Sequence, residues 1–88
     1  LTYSWAVGHY MEGVEVSLFI REEEDKQLKG SLRSNECVDV AKVAEAYGGG
    51  GHKRAAGFSL KADLDGTMDK LKKDIIEAIR DCQSKSGF

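Results

Sequence analysis

Four consecutive glycines, followed by a histidine and two basic residues, are the part of this sequence best suited to bind a ligand. The run covers residues 48–51 and leads into His52, Lys53 and Arg54. Glycine is used where the backbone takes a positive φ or approaches a partner closely, and fixing it costs conformational entropy. Neither packing nor helix and strand propensity accounts for four in a row. We therefore predict a loop whose N–H groups form an electropositive concavity for an anion, above all phosphate.

A second set of residues that could hold a phosphate oxygen lies upstream, at positions 31–34. On a strand, Ser31 and Arg33 share a face, and a guanidinium beside a hydroxyl forms a fork for phosphate. Ser34 lies on the opposite face of a regular strand, so we favour Ser31 slightly. An ordinary surface charge is the alternative for Arg33. For the basic pair at 53–54, direct contact and long-range steering of an anion are equally consistent with the sequence.

Two strands are predicted before the glycine run. Apolar residues alternate with polar ones over 14–21 and again over 28–33, the period of strands with one buried face. The acidic residues at 22–25 suit a solvated hairpin turn between them. We expect the two strands to pair antiparallel.

Two helices and a third strand complete the prediction. Asp39 is a suitable N-cap for a short helix with apolar residues at i, i+3, i+4 and i+7, and Gly48 is its C′ residue. Residues 57–61 alternate as a strand, residues 63–66 suit a turn, and residues 68–82 carry the apolar stripe of the longest helix. The expected fold is of class α/β (α+β), a small mixed β-sheet packed with helices, in the order β-β-α-(glycine loop)-β-α.

Composition limits the ligand and the setting. The 88 residues carry 13 basic and 15 acidic side chains, a net charge of −2, which argues against a protein that coats long nucleic acid. We expect one domain, a small or short ligand and a cytoplasmic protein without a membrane span, because no apolar stretch or signal pattern is present. Cys37 and Cys82 lie 45 positions apart and match no zinc or disulfide framework, so we expect reduced thiols.

Two motifs in this order resemble a known family. The run lacks the G-x-G-x-x-G of dinucleotide-binding folds and the Gly-Lys-Ser/Thr ending of a Walker loop. Instead, residues 49–57 resemble the G-G-G-H-x-x-A-A-G signature of the DHH-associated domain of the first type. Residues 31–34 resemble the S-x-R-S segment upstream of it, and residues 39–41 resemble the start of the intervening helix. The resemblance covers residues 14–60 and is greatest to the branch with oligoribonucleases, pAp phosphatases and cyclic-dinucleotide phosphodiesterases.

The resemblance implies the C-terminal substrate-binding domain of a DHH-family phosphoesterase, a hydrolase acting on short oligonucleotides or small nucleotides. The implied phosphate- or nucleotide-binding residues are Ser31, Arg33, Gly49, Gly50, Gly51 and His52, with Ser34, Lys53 and Arg54 as further candidates. It also implies an N-terminal catalytic domain that carries paired manganese ions on Asp and His ligands. This chain lacks that ligand set, since His9 stands outside any Asp-His-His run, so we expect the 88 residues alone to hydrolyse nothing.

The predicted domain organisation follows from the same resemblance. Residues 14–83 are the substrate-binding domain, residues 1–13 a linker or edge segment from a missing catalytic domain, and residues 84–88 a frayed terminus. The aromatic residues Tyr3, Trp5 and Tyr10 could stack a base, although packing is the expectation. A homodimer of the parent protein is left open. The alternative function is a noncatalytic RNA-binding module, like the related domain of alanyl-tRNA synthetases, against which the low basic content counts.

Overall fold

A five-stranded sheet with two helices makes up the part of the chain that the computed structural model describes, residues 2–7, 15–35 and 37–85. The elements in chain order are β1 (Thr2–Val7), β2 (Val16–Glu22), a 3-10 turn (Glu24–Lys26), β3 (Gln27–Ser34), α1 (Val40–Glu45), β4 (Gly50–His52), β5 (Ala55–Lys61) and α2 (Leu64–Lys85). The predicted α+β class is confirmed.

The strands lie in the order β1-β2-β3-β5-β4, and every neighbouring pair is antiparallel. The sheet is therefore antiparallel and not mixed as predicted. The expected pairing of β2 with β3 is confirmed. Two edge strands are added to the predicted order. Residues 2–7 form β1, and the expected glycine loop contains β4, which pairs with β5 through a tight turn at residues 53–54.

The core lies on one side of the sheet. Alternate side chains of β2, β3 and β5 point inward, where the apolar faces of α1 and α2 cover them. The buried apolar residues are Val16, Leu18, Ile20, Leu28, Leu32, Val38, Val40, Val43, Ala44, Tyr47, Phe58, Leu64, Leu71, Ile75, Ile79 and Cys82. Neither α1 nor α2 lies on the other side, and we call it the open face. The sheet therefore presents one broad surface on which ligand-binding side chains can stand.

Local signals set both ends of α1, as predicted. The Asp39 carboxylate accepts hydrogen bonds from the N–H groups of Ala41 and Lys42, at 3.1 and 3.3 Å. Gly48 has a φ of +82° and donates to the carbonyl of Glu45, which is the geometry of a Schellman C-cap. The first glycine of the run therefore belongs to the turn that terminates α1.

Helix α2 begins earlier than predicted. Its first turn includes Gly66, which the sequence placed in a turn, and the Gly66 N–H donates to the Asp63 carboxylate at 3.0 Å. Asp63 thus acts at the helix start, where a side-chain acceptor satisfies an N–H that has no intrahelical partner. Neither α1 nor α2 combines the length and apolar character that a membrane-spanning helix needs.

The expectation of reduced thiols is wrong. Cys37 and Cys82 form a disulfide, with Cα atoms 5.5 Å apart, between the β3–α1 loop and the C-terminal half of α2. The spacing of 45 positions gave no indication of this disulfide, because only the fold brings the loop and the helix close enough to form it.

Candidate functional site

Arg33 and His52 lie in one row across the open face. Arg33 is opposite Ala55 in the β3–β5 pair, and Ala55 is opposite His52 in the β5–β4 pair. Neighbouring strands are about 4.8 Å apart, so the backbones of Arg33 and His52 are about 10 Å apart across β5. Both residues are exposed. Only the methyl group of Ala55 stands between them.

The adjacent row contains the other predicted residues of the site. Ser31 is opposite Gly57, and Gly57 is opposite Gly50. Ser31 is exposed and shares the open face with Arg33, as the strand period predicted. A Cβ at Gly50 would meet nothing within 4 Å. The two rows form a shallow trough with small residues along its floor.

The charge of Arg33 is available to a ligand. Within the described ranges its guanidinium forms neither a hydrogen bond nor an ion pair with another side chain. By contrast, Arg21 and Lys29, further along the open face, both approach Glu23, at 3.1 and 3.8 Å. The strongest uncompensated positive charge of the trough is therefore at Arg33.

A cavity of about 360 Å³ adjoins Arg33 on the side away from His52. Ala6 and Ser17, which continue the row of Arg33 onto β1 and β2, line it. A volume of this order is at the small end of the range for ligand sites. The open face therefore offers space as well as charge beside the guanidinium.

Three of the four glycines have local structural reasons. Gly48 is the predicted C′ residue, and the expectation that packing could not account for the run is wrong for Gly49 and Gly51. Gly48 takes a positive φ, and a Cβ on Gly49 would overlap the carbonyl oxygen of Gly57. Gly51 has a φ of +146°, and its Cβ would come within 2.7 Å of the Ala55 carbonyl oxygen. Of the four, only Gly50 has neither a positive φ nor an atom close to the position of a Cβ.

The predicted nest of free N–H groups does not form at the start of the run. The N–H of Gly48 donates to Glu45, at 3.1 Å, and the N–H of Gly49 donates to Ala44, at 2.9 Å. Both donors are used in capping α1. Strand β4 is at the sheet edge, where alternate N–H groups point away from the partner strand. Backbone donors for an anion are therefore expected from β4, over residues 50–52, instead of from Gly49.

Ser34 and the 53–54 turn hold the hairpin in place. The Ser34 hydroxyl donates to the Val38 carbonyl at 2.7 Å, and its N–H donates to the Arg54 carbonyl at 2.9 Å. The Val40 N–H donates to the Lys53 carbonyl at 2.8 Å. Ser34 thus ties the hairpin to the start of α1, while the side chains of Lys53 and Arg54 remain exposed at the turn.

An aromatic side chain that was not predicted as a site residue also stands on the open face. Phe19 is 49% exposed and is opposite Ser31. Of the residues that were selected, Tyr3 and Trp5 lie on the helix side, where the Lys72 ammonium is 5.8 Å from the centre of the Trp5 ring. His9 and Tyr10 are outside the described residues. Alternation along β2, with aliphatic residues inward, could have identified Phe19 as an outward aromatic.

The described residues do not fit the manganese pair that the resemblance implies. Among positions 2–7, 15–35 and 37–85, no three His, Cys, Asp or Glu side chains are grouped so that they could hold a metal ion. The donor set that this chain does offer, a guanidinium, an imidazole, a hydroxyl and backbone N–H groups, suits an anion.

Comparison with known proteins places this chain in a family. Residues 8–84 match the DHHA1 domain. The chain is 39% identical over 79 residues to the bifunctional oligoribonuclease and PAP phosphatase NrnA of Thermus thermophilus, covering 90% of this chain and 23% of that protein. It is 37% identical over 75 residues to NrnA of Mycoplasma pneumoniae, covering 85% and 20%.

A third relative is named for a different activity. The chain is 39% identical over 69 residues to the cyclic-di-AMP phosphodiesterase PdeA of Listeria monocytogenes, covering 78% of this chain and 10% of that protein. The chain thus spans less than a quarter of the length of each of these three relatives.

Proposed function

The chain belongs to the DHHA1 domain family, and from that premise we propose that it binds the substrate of a DHH-family phosphoesterase, a short oligonucleotide or small nucleotide, through phosphate contacts on its open face. One observation carries this proposal. Arg33, with no partner among the described side chains, lies in one row with His52 across Ala55. The relatives, an oligoribonuclease and PAP phosphatase and a cyclic-di-AMP phosphodiesterase, are by name enzymes that act on phosphate esters, which supports this chemistry.

Each residue of the trough has a separate part in holding the phosphate. The Arg33 guanidinium presents two parallel N–H groups that match two phosphate oxygens, and the Ser31 hydroxyl donates to a third. His52 donates from the opposite side with its ring N–H. Gly50 and Gly57 leave the floor low enough for the phosphate to lie close to the backbone. The ligand is then fixed between two strands of a rigid sheet.

Such an anchor makes a separate catalytic domain effective. A phosphate held at a fixed place on one domain orients the scissile bond at the other, which replaces a random encounter by a positioned one. We assign the manganese ions and the hydrolytic step to that second domain, and the work of this chain is to bind and orient.

The charge distribution supports a short ligand. The chain has a net charge of −2, and Glu23 partly offsets Arg21 and Lys29 on the open face. A module for long RNA would need a continuous basic track, because its affinity comes largely from phosphate neutralisation. The alternative of a noncatalytic RNA-binding module is therefore less favoured than a site for one or a few phosphates.

A backbone NMR titration of the 88-residue chain with PAP and with a dinucleotide tests the proposal. We expect the largest shifts at Arg33, at residues 50–52 and at Ala55, and their loss in His52→Ala. Arg80→Ala is the matched control, since it removes an exposed basic side chain from α2, on the helix side. Shifts that cluster on the helices, or that persist unchanged in His52→Ala, contradict a site on the open face.

A further inference from the structure

We propose that Phe19 is a stacking platform for a nucleobase of the bound ligand, one strand beyond the phosphate contacts on the open face. This proposal rests on the proposed function and adds to it a subsite that reads the base. It predicts that the chain distinguishes a nucleotide from a phosphate that carries no base.

The Phe19 ring is exposed in a strand whose other apolar residues are not. Its neighbours on β2, Leu18 and Ile20, point inward and are 0% and 1% exposed, whereas Phe19 is 49% exposed. An aromatic ring left this open to water has no role in the core. Its exposure is explained if a flat apolar ligand covers it.

Small residues flank Phe19 on both neighbouring strands. Ser4 is opposite Phe19 in the β1–β2 pair, and Ser31 is opposite it in the β2–β3 pair. Neither side chain is large enough to cover the ring. A base can therefore lie on the Phe19 ring while Ser31, on the neighbouring strand β3, contacts the phosphate.

The surroundings of the ring favour a nucleotide over an apolar protein partner. Basic residues lie in the rows on both sides of Phe19. The row on one side contains Arg33, and the row on the other side contains Arg21 and Lys29. The strand residues that point to the open face include no Asp or Glu among those described. Two acidic residues approach this face from its ends, since Glu23 reaches Arg21 and Lys29 from the turn and Glu15, just before β2, lines the cavity beside Arg33. An aromatic side chain among basic ones suits a ligand that is both flat and anionic.

The separation between ring and guanidinium also fits one nucleotide. Arg33 is two residues along β3 from Ser31, the residue opposite Phe19. With a rise of about 3.4 Å per residue and a strand spacing of about 4.8 Å, the backbones of Phe19 and Arg33 are about 8 Å apart. Long side chains bridge that distance readily, so a base on the ring and its own phosphate at Arg33 are compatible.

The test compares two probes on the 88-residue chain, the 5′-phosphorylated dinucleotide pApA and a 5′-phosphorylated abasic dinucleotide of the same charge. We expect Phe19→Ala to weaken pApA binding by about 5- to 150-fold, the range that loss of one stacked base produces, and to leave the abasic probe unchanged. Phe19→Trp is expected to restore pApA binding. Tyr3→Ala is the matched control, because Tyr3 is a 43% exposed aromatic on the helix side, and it should change neither probe.

The outcomes separate this proposal from the proposed function. If Phe19→Ala leaves pApA binding unchanged, or weakens both probes equally, the stacking role is overturned while the phosphate site at Arg33 stands. If the unsubstituted chain binds neither probe, the proposed function fails and the stacking role with it. Thermal unfolding of each variant accompanies the binding data, and a folded Phe19→Ala protein is expected because the side chain is outside the core.

Discussion

Arg33 and His52 stand on opposite sides of Ala55, on the two strands that flank β5. The row exists only because the 53–54 turn folds β4 back onto β5, and hydrogen bonds to the ends of β3 and α1 hold that turn. The cation and the imidazole therefore come together through the hairpin and not through sequence proximity. Folding of the hairpin and assembly of the site are one event.

Two substitutions at Arg33 distinguish the contribution of its charge to binding from the contribution of its guanidinium geometry. We expect Arg33→Ala to weaken PAP binding at least about tenfold, since a hydrogen bond to a charged group contributes about 1.5–3 kcal/mol. Arg33→Lys should recover only part of the affinity, because an ammonium cannot bind two oxygens in parallel. Isothermal titration calorimetry measures both variants, with Arg80→Ala as the control.

An Arg33→Lys protein that binds PAP as tightly as the unsubstituted chain would show that charge alone matters. Arg33 is exposed, so the free energy of unfolding should change by no more than about 0.5 kcal/mol in either variant. A loss of affinity that accompanies a large loss of stability would have to be assigned to folding.

The neighbouring glycines 49 and 50 provide a test of fold against function. Gly49→Ala should lower the free energy of unfolding by about 3 kcal/mol, because its methyl group would overlap the Gly57 backbone and strand β5 cannot move away cheaply. Gly50→Ala has open space at its Cβ and should leave stability unchanged or raise it by about 0.5 kcal/mol. Chemical denaturation of the two variants measures the difference.

Although Gly50→Ala should leave stability intact, it should weaken ligand binding. Its methyl group would stand on the floor of the trough, so Gly50→Ala is expected to weaken PAP binding in a fully folded protein. Equal stability losses at Gly49 and Gly50 would contradict the packing found around Gly49. A Gly50→Ala protein that binds PAP normally would place the phosphate elsewhere on the open face.

Local patterns made much of the fold predictable. The alternation around Leu18 and Leu32 defines the central strands, and Asp39 and Gly48 define the ends of α1 through hydrogen bonds within a few residues. Arg33 and Ser31 could be placed on one face by the strand period alone. These features depend on neighbours in sequence, which is why they could be read without a structure.

The remaining features depend on contacts distant in sequence. Glycine has a low strand propensity, so β4 is a strand only because β5 pairs with it, and the need for Gly49 arises from its approach to Gly57. The bond between Cys37 and Cys82 likewise reflects tertiary proximity. Attributing the glycines after Gly48 to a ligand therefore overlooked the backbone packing that Gly49 and Gly51 allow.

Reduction of the disulfide between Cys37 and Cys82 should destabilise the domain. The bond closes a loop of 45 positions, and the chain-entropy model gives about 4 kcal/mol for a loop of this length. Guanidinium denaturation with and without a reductant measures the shift in midpoint. The double variant Cys37→Ser/Cys82→Ser is the control and should not respond to the reductant, and an unchanged midpoint for the unsubstituted chain would contradict a bond that supports the fold.

Tyr47 makes stability fall at high pH. Burial, followed by the 2.5 Å hydrogen bond that its hydroxyl donates to the Asp74 carboxylate, raises the pKa of Tyr47 above its ordinary value of about 10. The folded protein therefore keeps this proton at a pH where the unfolded chain has lost it. The contribution of the Tyr47 hydroxyl to the free energy of unfolding is complete below pH ~10 and declines above it, by at most about 1.4 kcal/mol per pH unit.

Urea unfolding of the unsubstituted chain and of Tyr47→Phe, from pH 8 to pH 11, measures the difference in free energy of unfolding. Lys70, whose ammonium is 5.4 Å from the Tyr47 ring centre, is present in both proteins, so its effect largely cancels in that difference. We expect it to shrink above pH ~10, and a difference that stays constant over this range would mean that the Tyr47 hydroxyl ionises equally in both states.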